Sequence, residues 1–246
     1  MRGSYSSGVV WPAPRPAAAR VLLCFSYCGG GTAPMRPWIH AVPDDVDLGL
    51  VCLPGRERRI AEPPAQTWDD LMRAALTAVR TVASRPYILF GHSAGARVAF
   101  ESAVHIQHSG GPAPQALVVS ASNAPSLAAR DRERPPTSRT SDAALLAWMR
   151  DVGQLPAAIV DDPELRQMAL DLFRADKRAL ESYEYIDGRT VTCPVRRLYA
   201  ADDPHVDLDD AAWSTLAAGP YSADLLPGGH FYTPQTWATL PHHMRL

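Results

Sequence analysis

Short apolar runs alternate with an amphipathic segment through the first half of the chain. Four of these runs are typical of strands buried on both faces of a parallel sheet: 21–25, 48–53, 87–90 and 117–120. Between the second and third runs, the apolar residues of 68–82 recur at helical spacing. This alternation predicts an α/β fold with a mostly parallel, doubly wound sheet and right-handed crossovers.

The alternation breaks at about residue 130. Residues 130–140 are polar and proline-rich, and helical patterns follow at about 141–152 and 162–184. Strand-like runs at 196–201 and 223–227 then resume the sheet. Helices inserted at the carboxyl edge of such a sheet would lie over a site at that edge as a lid.

The length of 246 residues suits one α/β domain with a single large core. Residues 1–19 are rich in Ser, Gly, Pro and Ala without a period, so we expect them to be loose. We expect residues 20–246 to form the domain, with the lid at about 130–185.

The charge balance argues against a nucleic-acid partner. Twenty-four basic and 26 acidic side chains give a net charge of −2 without a clustered basic stretch. The apolar runs are far shorter than the roughly 18 residues of a membrane span, and the start lacks the apolar core of a signal peptide. The four cysteines form no C-x-x-C pair, so we expect no metal site. We expect a cytoplasmic monomer that binds neither a membrane nor a cofactor.

A G-x-S-x-G motif spans residues 91–95, between an apolar run and an alanine-rich helical segment. Strand before and helix after is the context of a nucleophile elbow, which presents a serine hydroxyl at the start of a helix. Ser93 is therefore the candidate nucleophile. The amide of Ala94 would point at an oxyanion formed there.

A glycine run, Gly29-Gly30-Gly31, follows the first predicted strand. It does not fit a dinucleotide loop, because the third glycine of G-x-G-x-x-G would fall at Pro34. We expect instead a loop whose backbone approaches a ligand, leaving amides near Tyr27 and Cys28 free to donate.

A serine nucleophile needs a histidine base and a carboxylate that orients it, in the chain order Ser, acid, His for this type of sheet. Asp202 and Asp203 both follow the strand at 196–201, and we favour Asp203 because of its placement before Val206. His230 follows the last strand and two glycines, and it is the preferred base. His205, beside the acid, is the main alternative.

Five motifs in order resemble the type II thioesterases of polyketide and nonribosomal peptide assembly lines. They are Leu23-Cys24-Phe25-Ser26-Tyr27-Cys28-Gly29-Gly30 with Trp38, Leu53-Pro54-Gly55-Arg56-Glu57-Arg58-Arg59 with Glu62-Pro63-Pro64, Leu89-Phe90-Gly91-His92-Ser93-Ala94-Gly95-Ala96, Phe173-Arg174-Ala175-Asp176 with Tyr183, and Gly229-His230-Phe231-Tyr232. The resemblance implies an α/β-hydrolase that removes stalled or incorrect acyl groups from the phosphopantetheine arm of carrier proteins. It also implies a triad of Ser93, Asp203 and His230, and oxyanion donors at Ala94, Tyr27 and Cys28.

The chain departs from the family at three positions. Ser26, Cys28 and Ala94 stand where proline, alanine and methionine are usual. These changes bear on the choice of acyl group rather than on the reaction. Ser26 and His92, which neighbour the proposed oxyanion donors and nucleophile, are candidates to line the acyl pocket.

Four arginines follow predicted strand ends on the active-site side of the sheet: Arg36, Arg56, Arg58 and Arg59. Because carrier proteins are generally acidic near the pantetheine attachment, we interpret these arginines as candidate docking residues. The alternative is that they are solvated loop side chains.

Two other functions stay open. The same triad would serve a chain-releasing cyclase or acyltransferase if the site excluded water. A carrier-binding module without activity is the third possibility, which the intact triad disfavours.

Overall fold

A seven-stranded sheet forms the centre of the molecule, with the spatial order β1-β3-β2-β4-β5-β6-β7. This is a computed structural model, and it describes residues 8–132, 134–155 and 157–246. The strands are β1 (Val9–Val10), β2 (Arg20–Phe25), β3 (Val46–Val51), β4 (Tyr87–His92), β5 (Ala116–Ser120), β6 (Val195–Ala200) and β7 (Tyr221–Leu226). All neighbouring pairs are parallel except β1 with β3.

The predicted mostly parallel, doubly wound sheet is confirmed. The predicted strands agree with the observed ones within a few residues. In the central strand β4 every residue is buried, which explains why it reads as a continuous apolar run instead of an alternating one.

Eight α-helices are described: α1 (Trp68–Val82), α2 (Ala94–His108), α3 (Ala128–Arg132), α4 (Asp142–Asp151), α5 (Ala157–Asp161), α6 (Pro163–Glu181), α7 (Ala211–Ser214) and α8 (Pro234–Ala238). The bounds of α1 match the predicted helix at 68–82. Thr67 caps it by accepting a hydrogen bond from the amide of Asp70 at 3.2 Å. Within the described ranges, none of the helices combines the length and apolarity that crossing a membrane requires.

Two apolar layers cover the faces of the sheet. On one face α1 and α2 pack against β2, β4 and β5, with Val79 and Phe100 fully buried. On the other face, a 3₁₀ helix (Ala33–His40) and the C-terminal segment cover the same strands, with Trp38 and Leu240 fully buried.

Helices α3 to α6 form the insertion between β5 and β6. The two predicted helical patterns correspond to α4 and α6. Helix α6 begins sharply because Asp162 accepts hydrogen bonds from the amides of Glu164 and Leu165, and Pro163 occupies its first position.

The expectation of a loose N-terminal segment is wrong for the part that the structure describes. Val9 and Val10 are buried and pair with Val51 and Leu50 as an antiparallel edge strand. Farther on, the amide of Arg15 donates to the buried carboxylate of Asp47 at 3.0 Å. The sequence pattern missed this segment because a two-residue strand is too short to show a period. Residues 1–7 lie outside the described residues.

Candidate active site

Ser93 occupies a sharp turn between β4 and α2. Its backbone has φ 54° and ψ −119°, a conformation that non-glycine residues adopt only when the surrounding structure enforces it. A Cβ at Gly91 would overlap the carbonyl of Gly95, and a Cβ at Gly95 would overlap the carbonyl of Phe25. The two motif glycines are therefore required for close packing of the turn, which presents Ser93 at the N-terminus of α2.

Ser93, His230 and Asp203 form one hydrogen-bonded chain. The Oγ atom of Ser93 lies 2.9 Å from Nε2 of His230, and Nδ1 of His230 lies 2.7 Å from Oδ2 of Asp203. The other carboxylate oxygen of Asp203 accepts from the amide of His205 at 2.9 Å. Asp203 is buried whereas Asp202 is exposed, so the structure brings Asp203 and not Asp202 to the histidine.

The charge state of Asp203 follows from these contacts. Burial disfavours its ionised form, but the hydrogen bond and charge of His230 and the amide of His205 outweigh the burial and lower its pKa below the ordinary carboxyl value. An ionised Asp203 holds the Nδ1 proton of His230. This leaves Nε2 as the acceptor for the Ser93 hydroxyl proton.

His205, the alternative base, lines the same cleft but does not hydrogen-bond to Ser93. Its Nε2 accepts a hydrogen bond from the indole of Trp148 at 3.1 Å. Burial, and then the neighbouring His230, lower the pKa of His205. The lowered pKa favours the neutral ring, whose Nε2 is the acceptor for Trp148 on α4.

A cleft of about 150 Å³ opens beside Ser93, and Ala94, Cys28 and Phe173 are among its lining residues. The amides of Ala94, Tyr27 and Cys28 donate to no acceptor among the described residues. The predicted donors Ala94 and Cys28 thus lie at the same cleft as the serine. Tyr27 instead lines a larger, mostly apolar groove of about 1200 Å³, which does not include Ser93.

The loop of residues 26–31, here called the glycine loop, is tied to the inserted helices. Gln154, just after α4, donates from Nε2 to the carbonyl of Cys28 at 2.9 Å. The amide of Gly29 donates to Oδ2 of Asp176 on α6 at 2.8 Å. The loop that carries Tyr27 and Cys28 is therefore positioned by the insertion as well as by the sheet.

The interpretation of Arg56 as a docking residue is wrong. Its side chain is 4% exposed, and its two terminal nitrogens lie 3.0 and 2.6 Å from the carboxylate oxygens of Asp176. The same guanidinium donates to the carbonyl of Gly30 at 2.7 Å. Arg56 follows a strand end, as predicted, but it points inward because the buried carboxylate of Asp176 lies there.

The other three arginines differ in exposure. Arg59 pairs with Glu62 and donates to the carbonyl of Cys52. Its guanidinium is therefore already bonded within the protein, and it is a weaker docking candidate. Arg36 is half-exposed and contacts Thr32 and Glu57. Arg58 is exposed.

The two candidate acyl-pocket residues do not line the cleft at Ser93. His92 is fully buried beneath the elbow, where its Nδ1 lies 3.0 Å from the hydroxyl of Ser120. Burial, and then the nearby His230, lower the pKa of His92 well below its ordinary value. The Oγ atom of Ser26 is buried and has no hydrogen-bond partner among the described residues. The prediction is wrong for both, because both side chains point into the protein.

Sequence reasoning missed Asp176, Gln154 and Arg97 at the site. Asp176 stands within a motif that carried the resemblance, but its helical context gave no sign that it is buried. Arg97 lies one helical turn after Ser93 and lines the same cleft. Its position four residues after the nucleophile, on a predicted helix, was the sequence signal that could have placed it at the site.

Comparison with known proteins agrees with this arrangement. The family model "Thioesterase domain" matches residues 20–242. Thioesterase PikA5 of Streptomyces venezuelae is 32% identical over 226 residues, which cover 91% of this chain and 79% of that protein.

Two solved structures share the fold over nearly the whole length. The type II thioesterase BorB from the borrelidin biosynthetic cluster has a TM-score of 0.84 at 33% identity, covering 97% of this chain and 96% of BorB. YbtT, the type II thioesterase of the yersiniabactin NRPS/PKS pathway, has a TM-score of 0.80 at 26% identity, covering 96% of each chain. The chain therefore belongs to the thioesterase family of α/β-hydrolases, as a type II thioesterase of polyketide and nonribosomal peptide pathways.

Proposed function

We propose that this type II thioesterase hydrolyses acyl thioesters on the phosphopantetheine arm of carrier proteins, through an acyl-Ser93 intermediate. The observation that carries the proposal is the hydrogen-bonded chain from Ser93 through His230 to Asp203. Similarity to BorB, a type II thioesterase from the borrelidin biosynthetic cluster, and to YbtT, a type II thioesterase of the yersiniabactin NRPS/PKS pathway, supports removal of stalled or incorrect acyl groups, that is, an editing role.

The geometry supports a two-step reaction. Oγ of Ser93 attacks the thioester carbonyl while its proton passes to Nε2 of His230. The tetrahedral oxyanion accepts hydrogen bonds from the amide of Ala94 and from the glycine loop at Tyr27 or Cys28. The C–S bond then breaks, and the leaving thiolate takes the proton from His230.

Water completes the cycle. His230 removes a proton from a water molecule, whose oxygen attacks the acyl-Ser93 ester. Collapse of the second tetrahedral intermediate releases a carboxylic acid and returns the proton to Ser93. Asp203 stays ionised throughout and stabilises the histidinium that forms in each step.

The inserted helices act as a lid in this proposal. Phe173 on α6 and Trp148 on α4 line the cleft, so the acyl group lies between the elbow and the insertion. One chain supplies every group named in the reaction, which supports a catalytic monomer.

Arg36 and Arg58 are the carrier-docking candidates that keep this role. Glu57 links both to the apolar groove of about 1200 Å³, because it lines that groove, pairs with Arg36 and precedes Arg58 in the chain. The exposed side chains of Ile60 and Met168 also line the groove. An acidic carrier would place its charges on the two arginines and its apolar surface on the groove.

Single-turnover release of an acyl group from a loaded carrier protein tests the proposal. Ser93→Ala should reduce the rate by about 10⁴-fold or more, since the nucleophile is lost. Ser122→Ala is the matched control, because Ser122 lines the same cleft but hydrogen-bonds to the carbonyl of Asn123. Residual activity of Ser93→Ala within tenfold of wild type would reject the assignment. An ester, amide or lactone product instead of the free acid would identify an acyltransferase.

A further inference from the structure

One peptide unit of the glycine loop is held at both edges by the insertion. The carbonyl of Cys28 and the amide of Gly29 belong to this unit. The carbonyl accepts from Nε2 of Gln154 at 2.9 Å, and the amide donates to Oδ2 of Asp176 at 2.8 Å. Because a peptide unit is planar, two hydrogen bonds on its opposite edges fix its rotation about the line between the flanking Cα atoms. At this point the loop takes its orientation from the insertion.

The side chain of Cys28 reinforces the same attachment. Its thiol lies 3.4 Å from the carbonyl of Phe173 on α6. A Cβ on Gly29 would lie 3.2 Å from the Cβ of Phe173, so the loop and α6 are in close contact. Cys28 also packs against a small apolar core within the insertion, which is formed by Leu145, Met149, Leu170 and Phe173. The loop is therefore attached to α4 and α6 as well as to the sheet.

The backbone of Gln154 is fixed to the end of α4. Gly153 follows this helix with φ 75°, and its amide donates to the carbonyl of Arg150 at 2.9 Å. The amide of Gln154 donates to the carbonyl of Met149 at 2.8 Å. These two bonds form a Schellman motif, which ends a helix at a residue in the left-handed conformation. Gln154 therefore transmits the position of α4 to the carbonyl of Cys28.

The peptide unit that Gln154 holds lies next to a proposed oxyanion donor. The amide of Cys28 belongs to the preceding unit, which shares the Cα atom of Cys28, and this residue lines the cleft at Ser93. We propose that Gln154 is a positioning residue of the oxyanion hole, which aims the Cys28 amide by holding the Cys28–Gly29 peptide. The lid thereby becomes part of the catalytic geometry. This inference rests on the proposed hydrolase function.

Gln154→Met removes the donor and keeps the length of the side chain. Asp176 also holds this peptide, but it pairs with Arg56, so Gln154 is the partner that can be changed without breaking a buried ion pair. With an acyl thioester of N-acetylcysteamine, kcat should fall by about 3- to 20-fold, less than the roughly 10²- to 10³-fold effect of losing an oxyanion donor outright. KM should change less than about twofold, because the oxyanion forms only in the transition state.

Binding of a transition-state analogue gives a readout without turnover. A thioether trifluoromethyl ketone forms a hemiketal with Ser93, and the oxyanion of this hemiketal occupies the hole. The same thioether with a methylene in place of the carbonyl forms no oxyanion. Gln154→Met should weaken binding of the ketone by about the factor by which kcat falls and leave binding of the methylene compound within about twofold. A purely structural role would weaken the binding of both compounds.

Gln107→Met is the matched control. Nε2 of Gln107 also donates to a backbone carbonyl, that of Thr190 at 3.2 Å, but Gln107 lies at the opposite end of α2 from the nucleophile. This variant should leave kcat and ketone binding within about twofold of wild type. Circular dichroism and thermal unfolding establish that each variant is folded. Gln154→Glu, which also lacks the donor, replaces Gln154→Met if the latter does not fold.

The inference is overturned if kcat of Gln154→Met falls less than about threefold, the lower end of the effect expected here, or if binding of the two analogues weakens equally. An equal loss in Gln107→Met would also overturn it, as would a wild type that binds the ketone no more tightly than the methylene compound. Tight ketone binding that depends on Gln154 supports the inference even if wild type hydrolyses no carrier-bound thioester, which would reject only the proposed function.

Discussion

Replacing Arg56 with methionine removes the cation that neutralises a buried carboxylate. Arg56 and Asp176 are each about 4% exposed, and no other described side chain pairs with the carboxylate of Asp176. Removing one partner of a buried ion pair costs about 3–5 kcal/mol of unfolding free energy. At roughly 2–4 °C per kcal/mol for a domain of this size, the melting temperature should fall by about 6–20 °C.

The same change should slow catalysis through the glycine loop. The carbonyl of Gly30 loses its donor, and the carboxylate that holds the amide of Gly29 is free to move. If these shifts withdraw the Cys28 amide from the oxyanion, kcat should fall by about 10²- to 10³-fold, as when one oxyanion donor is lost. KM should change less, because the interaction is made with the transition state.

A double variant separates the two effects. Arg56→Met/Asp176→Leu replaces the ion pair with apolar side chains, which often restores or exceeds the original stability. It cannot restore the contacts to Gly29 and Gly30, so kcat should stay low. Urea denaturation and turnover of a small acyl thioester at 25 °C measure the two quantities.

The solvent-exposed pair of Arg73 and Asp70 supplies a matched control. Arg73→Met should leave both stability and kcat nearly unchanged. Recovery of both quantities in the double variant would show that the ion pair does not position the glycine loop. A loss of less than about 1 kcal/mol in Arg56→Met would refute the assigned energetics.

Four further outcomes are expected. Asp203→Asn should lower kcat by about 10⁴-fold and Asp202→Asn by less than threefold in the same thioester assay, since only Asp203 contacts His230. The pKa of Asp203 is lower in the folded protein than in the unfolded chain, so its ionisation stabilises the fold at every pH above the ordinary carboxyl pKa. As the pH falls through the pKa of Asp203 in the folded protein, this stabilisation should be lost. Urea denaturation at a series of pH values should therefore show the wild type losing unfolding free energy relative to Asp203→Asn. Charge reversal at Arg36 and Arg58 should raise KM for carrier-bound substrate but not for a small thioester, and equal effects would reject docking. Ala94→Met should shift kcat/KM from longer acyl groups toward acetyl and propionyl; an unchanged ranking would show that residue 94 does not set acyl choice.

The fold and the reacting side chains could be predicted because their signals are local. Strands buried on both faces read as unbroken apolar runs, and the elbow needs glycine at 91 and 95 whatever surrounds it. The order Ser, acid, His then left two acids to choose from, and the placement of Asp203 before Val206 pointed to the one that contacts His230.

The environment of each polar side chain could not be predicted in the same way. Arg56 and Arg58 are separated by one residue and read alike, yet one is buried against α6 and the other is exposed. What distinguishes them is Asp176, which lies 120 residues away in sequence. Likewise, nothing local in the sequence indicated that the ring of His92 turns under the elbow toward Ser120. Contacts between residues so far apart in sequence depend on tertiary packing, and the periodicity of a single segment gives no information about them.

The two-residue strand β1 bears on how the protein can be handled. It occupies the outer edge of β3, whose backbone would otherwise present unpaired amides and carbonyls over an apolar strand. Exposed, flat edges of this kind recruit strands from other molecules and promote aggregation. Because the start of the chain is proline-rich, a truncation that begins at residue 20 would be an obvious choice. That truncation would remove β1 and expose the edge of β3. A shortened protein should therefore retain the residues from Gly8 onward if it is not to aggregate at high concentration.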